Sequence, residues 1–381
     1  MIGALLCVVL LCLLSIGAAA TGETSMLSAL PKEYVQMLEG LPDTLRDSLP
    51  KEVFSTDPEG AVKAWQSLVS PQALLGVVVD ALAADWQIYV RLFLQLMGVL
   101  VLRAVWNCLA ASMRAAGLAS GVQLLCRLIL FGMIVAQGME MLSSVSVFYD
   151  ELSVLTTGFL PLMGAMYAMG GNVSTAVVNH STLVMSFGLV EWIGGKSIVP
   201  LFSVCMAFAL LGAFEGSVAP RMQTLTGKFK KWYTTALSLV MLLLSGALAA
   251  QTTLAARADS LGFRAVRFAV SSSIPMVGGG VAEMLRTASS GLDWMRSIVG
   301  VGGVVLVIWL LLPQIVSLLL TRFVFGLAGD MAGWMGCGEE GKLLGEISSL
   351  YGYLLAVVSV SVMTFFFALV LLLKCGAAYA A

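Results

Sequence analysis

An all-α, polytopic integral membrane protein is the architecture encoded here, and three features of the chain carry that expectation. Hydrophobic residues make up 59% of its 381 positions and charged residues only 11%. A soluble protein carries about a quarter charged residues, so most of this chain is suited to lipid rather than water. The apolar residues fall in long runs bounded by charges. Glycine and proline mark the ends of several runs, as expected for helices that start and stop at a membrane surface. Mean hydropathy is +0.95, which also excludes a disordered chain.

Taken from the start, Met1 to Ala20 is apolar and ends Ala18-Ala19-Ala20 before Thr21. That pattern predicts a signal peptide over 1–20. No Lys or Arg precedes the run, so an uncleaved anchor helix is the alternative. Residues 21–85 change character. Ten acids against four bases give this segment a net charge of −6 (4 − 10). Segments without clustered Lys or Arg cross membranes readily, so 21–85 is expected to be extracytoplasmic. Asp57-Pro58 and Ser70-Pro71 each read as an N-cap followed by proline in the first helical turn. Short helices of this kind bury too little surface to stand alone.

The polytopic domain is expected over 86–375. Uncharged runs at Ser197 to Phe214, Trp232 to Ala256, Ser297 to Thr321 and Tyr351 to Leu373 are each near the ~20 residues that cross about 30 Å of hydrocarbon. The uncharged run between Glu151 and Glu191 is too long for one helix. Gly170-Gly171-Asn172 divides it into two predicted spans. Two more spans fit near 87–110 and 118–140, the second holding Arg127 inside the membrane. Shifting that span to 128–149 would embed Glu140 instead. An ionisable group at such depth costs about 2.5–3.5 kcal/mol and should face protein or water; a snorkelling arginine is the plainer alternative.

The loop from Glu215 to Lys231 holds Arg221, Lys228, Lys230 and Lys231, so it is predicted to be cytoplasmic. Counting back through five spans puts the N-terminal region outside, as the signal segment does independently. In 257–296, Pro275 and Gly278, Gly279 and Gly280 interrupt an apolar stretch. This segment either re-enters the membrane or crosses it as a broken helix. The first gives about seven spans and an external C-terminus; the second gives eight. Pro275 and the three glycines are candidate path or hinge residues, and Arg127 and Glu140 candidate membrane-embedded charges.

Catalytic chemistry finds little support. His180 is the one histidine, and neither G-x-S-x-G nor H-E-x-x-H occurs. The 7 cysteines show no C-x-x-C and read as small apolar residues. Gly336 to Lys342, GCGEEGK, matches the front of a phosphate-binding loop. Leu343 follows where Ser or Thr should hold Mg²⁺, and Glu339 and Glu340 would face phosphate charge, so it is set aside as a chance match. No catalytic, cofactor-binding or metal-ligating residue is assigned, and no basic face interleaved with aromatics suggests nucleic acid. Gly212/Gly216, Gly329/Gly333 and Gly341/Gly345 have the small-xxx-small spacing of close helix packing.

The order of parts resembles the stage III sporulation protein AE family of endospore-forming bacteria. The more specific likeness lies in SSIPMVGGGVAEMLRTASSGLDWMRSIVGVGGVVLVIWLLLPQIVSLLL from Ser272 and in PLMGAMYAMGGNVSTA from Pro161. The resemblance implies a component of the channel or secretion-like complex between mother cell and forespore. It implies a multi-pass position in the mother-cell membrane, with a separate ATPase and ring-forming proteins as partners. A small-solute transporter and a purely structural scaffold remain the alternatives.

Overall fold

The structure, a computed structural model, describes residues 71–112, 116–169, 191–214, 224–236 and 278–377, with a few single positions elsewhere. The signal segment, nearly all of 21–70, His180, most of 237–277 and Pro275 lie outside the described residues. Within them the chain is helical, with no strand.

Helix α1 runs Pro71–Ser112 and α2 runs Ala116–Met169. A π-helical turn, Glu191–Lys196, leads into α3, Ile198–Phe214. Helix α4 spans Gly278–Trp334 and α5 spans Gly338–Ala377. Five stretches among the described residues are long and apolar enough to cross a membrane. They are Trp86–Leu109, Gly121–Phe159, Gly194–Gly212, Val305–Trp334 and Gly338–Met363.

Several expectations meet these boundaries directly. Pro71 opens α1, where its missing N–H costs nothing. Helix α2 stops at Met169, just before Gly170-Gly171. It also differs from expectation, because it is continuous across Asp150 and Glu151. The first span expected in 152–190 is therefore an extension of α2 rather than a separate helix. No proline or glycine pair interrupts 140–160, so only charge marks that position, and charge does not break a helix. The rest of the predicted break, with Pro275, lies outside the described residues, and Gly278 to Gly280 form the first turn of α4. Their helix penalty is smallest at an end, where the backbone groups have no intrahelical partner anyway.

Contacts along the helices fix their directions. Arg103 of α1 and Arg127 of α2 meet the start of α5. Tyr149 Oη of α2 donates to Ser361 Oγ of α5 at 2.8 Å. From Arg127 to Tyr149, and from Glu340 to Ser361, the helix rise is about 32 Å. Helices α2 and α5 therefore run in the same direction. Tyr89 Oη of α1 donates to Ser317 Oγ of α4 at 2.8 Å, and both helices run from there towards the arginine end. The bundle is thus two antiparallel hairpins, α1–α2 and α4–α5, laid side by side with their turns at the same end.

Its core is apolar and filled. Leu96, Leu100, Leu130, Ile134, Leu318 and Phe325 are fully buried. The Phe325 and Tyr351 rings stack with centroids 5.4 Å apart, and Phe202 of α3 closes on Tyr351 at 5.6 Å. Ser144 Oγ donates to Gln314 Oε1 at 3.0 Å, a polar tie between α2 and α4.

Candidate functional site: an inter-hairpin ion-pair cluster

The cluster begins with a tight turn. Helix α4 ends at Trp334, and Gly336 adopts φ +76°, a left-handed conformation that glycine takes without strain. Cys337 N donates to Ala332 O at 2.9 Å and Gly336 N to Gly333 O at 3.3 Å, so the last carbonyls of α4 are satisfied. Gly341 N then donates to Cys337 O at 3.0 Å, which starts α5. The GCGEEGK segment is therefore a hairpin turn plus the first turn of a helix. Glu339 and Glu340 fall at that N-terminus, where the helix dipole favours negative charge.

The hairpin closes tightly enough to aim them. A side chain at Gly341 would meet Gly329 O at 2.8 Å, and one at Gly329 would meet Gly341 O at 3.1 Å. The two small-residue pairs predicted on α4 and α5 therefore face each other across one crossing.

Glu340 is the centre of the cluster, with its side chain 3% exposed. Its Oε1 accepts from Arg103 Nε at 3.3 Å and from Arg127 Nε at 3.4 Å. Arg127 Nη2 also pairs with Glu339, whose side chain is 70% exposed. Arg103 Nη1 donates to Asn107 Oδ1, one helical turn on. With its carboxamide oxygen turned to the guanidinium groups, Gln123 accepts from Arg103 and Arg127, each at 3.0 Å. Two cations from the first hairpin thus meet two anions from the second. Leu130, Phe131, Leu210 and Leu343 wall the group, leaving a void no larger than a water molecule. Beside it, burial pushes the Cys337 thiol above its ordinary pKa, with the Glu340 charge adding to the effect.

The predicted residues divide clearly. Arg127 is paired with protein rather than snorkelling. Glu140 lies on the exposed face of α2, remote from the cluster. Its charge is within electrostatic reach of buried Tyr351. Gly278, Gly279 and Gly280 open α4 far from the ion pairs. Sequence reasoning missed Arg103 as a partner and read Glu339 and Glu340 only as a flaw in a phosphate loop. The available signal was the sign balance: two arginines embedded in early apolar helices, and two glutamates opening a late one.

Among the described residues no group of three or more His, Cys, Asp or Glu is placed to hold a metal. The cluster can neutralise buried charge and lock two hairpins in register. The class defined by fold and site is a multi-helix membrane protein whose halves are joined by an ion-pair clasp. The sequence pattern of the stage III sporulation protein AE family matches residues 61–376, and the chain belongs to that family. It is similar to the stage III sporulation protein AE of Bacillus subtilis (strain 168), 20% identical over 217 residues. That match covers 57% of this chain and 54% of the relative, so it spans about half the relative's length. No solved structure matches the chain.

Proposed function

We propose that this protein is a membrane component of the channel or secretion-like complex between mother cell and forespore. In this reading it sits in the mother-cell membrane, works with a separate ATPase and ring-forming proteins, and performs no catalysis itself. The observation that carries the reading is the family match across 61–376, which includes all five helices of the bundle. The clasp supports it, because GCGEEGK is taken up by the turn between α4 and α5 and the first turn of α5, with its glutamates held in ion pairs. Energy for transport would then come from another chain.

The basic loop 215–231 suggests that the turn end of the bundle is cytoplasmic. The N-terminal region is then external. Because both hairpin turns share that end, an even number of crossings separates them, and the C-terminus is external too. The Pro275 and Gly278 to Gly280 segment would then be re-entrant or external rather than an extra span.

The test is replacement of Pro275, Gly278, Gly279 and Gly280 by leucine in a sporulating host. The expected outcome is arrest at stage III with the protein still in the membrane. Normal spore formation would remove these residues from any path. A scaffold is the second reading, favoured by the filled core at Leu96, Leu100, Leu130 and Ile134. Neutral Arg127→Gln with intact partner recruitment but lost function would count against it. Solute flux by the lone protein in proteoliposomes would favour a transporter over both.

A further inference from the structure

The outward face of α1 is not the lipid-facing surface its composition suggests. Gln87, Arg91 and Gln95 recur at i, i+4 and i+8, which places them in one row along the helix. All three are exposed, and all three lie inside the Trp86–Leu109 stretch that is apolar enough to span. Asp80 extends the row by about two turns towards the N-terminal end of α1, and it too is exposed. Gly98 continues the row at the other end with open space around it. Between them lies a groove of about 440 Å³ lined by Trp86, Gln87, Val90, Arg91, Leu94 and Gln95.

Hydrocarbon is a poor solvent for this row. Each unsatisfied polar group there costs several kcal/mol, and an arginine in the outer part of the span, as Arg91 is, must reach protein or water. The buried charges of this protein show how protein satisfies an arginine. Arg103 and Arg127 each have a carboxylate, and they share a carboxamide. Arg91 has no such group among the described residues, and the groove beside it, flanked by Trp86, Val90 and Leu94, is open. The space is open and large enough for many waters.

We propose that the Asp80, Gln87, Arg91 and Gln95 face of α1 lines a water-filled vestibule that enters the membrane from the end where α1 begins. Arg91 supplies its fixed positive charge, so the vestibule concentrates small anions. It ends near Gly98, beyond which the same face becomes apolar at Leu102 and Val105. This deepens the conduit reading above by naming the wall that meets water, and rests on that reading only for its role in transport.

The test uses the full chain in its native membrane, with its 7 cysteines replaced by serine and sporulation first shown to persist. Single variants Gln87→Cys, Arg91→Cys and Gln95→Cys are compared with Ile88→Cys and Val101→Cys, which lie off the row on the same helix. A membrane-impermeant, negatively charged thiol reagent is the probe, since thiolates form and react only where water reaches. The row should label at least about tenfold faster than the two controls. The Gln87 and Gln95 variants retain Arg91, so adding Arg91→Gln should slow their labelling by the anionic reagent while leaving it faster than the controls, because water still reaches the row. Equal, slow labelling at all five positions would place the row against lipid or protein and overturn the proposal. Cross-linking of the row to another chain without labelling would do the same. If the row labels and full modification leaves spore formation unchanged, the vestibule stands and the conduit reading falls.

Discussion

Glu340 and Glu339 are neighbours in sequence and opposites in environment, and that difference makes a sharp prediction. Glu340 is buried between two guanidinium groups, while Glu339 meets one of them at the surface. Removing a buried partner leaves uncompensated charge, so Glu340→Ala should destabilise the protein by about 3–5 kcal/mol. Glu339→Ala should cost less than about 1 kcal/mol, the range of exposed ion pairs. Denaturant unfolding in detergent, followed by near-ultraviolet circular dichroism, would compare them. Equal losses would mean that Glu340 is not the centre of the clasp. The two arginines were visible in the sequence only as interruptions of apolar runs, because pairing across more than 200 positions depends on how the hairpins dock.

Between elements, the crossing of α4 and α5 is set by absent side chains. Gly329 and Gly341 bring the two backbones into contact, and the left-handed Gly336 lets the chain reverse within three residues. Gly341→Leu should therefore push the helices apart and pull Glu340 from its arginines. Cys337 reports this directly. Buried and with a raised pKa, it should resist alkylation in native membranes at pH 8 and react readily in the leucine variant. Unchanged protection would show that the crossing tolerates bulk and that the turn is held by other contacts. A related close fit holds the π-helical turn, where a methyl group at Gly194 would strike the Tyr149 ring. The glycine spacing on α4 and α5 was legible in the sequence; which glycines met which was not, since small-xxx-small repeats mark a face without naming its partner.

For the molecule as a whole, the side-by-side hairpins constrain topology. Reporter fusions placed after Ser112 and after Cys337 should give the same sidedness, because both positions are at the arginine end of the bundle. A fusion after Ala381 should report the opposite side, since α5 leaves that end and does not return within the described residues. Opposite signals at Ser112 and Cys337 would be incompatible with the clasp. The chain alone was enough to define a helical membrane protein, the positions of most of its long helices and its family, because these follow from hydropathy, helix breakers and local motifs. The ambiguity around Pro275 and the glycines arose because local sequence cannot say on which side of a bilayer the next helix begins. Only the tertiary structure decided which charges share a pair, that both turns lie together and that α1 presents a polar row outward. Each of these depends on the distance between helices far apart in sequence, which periodicity does not encode.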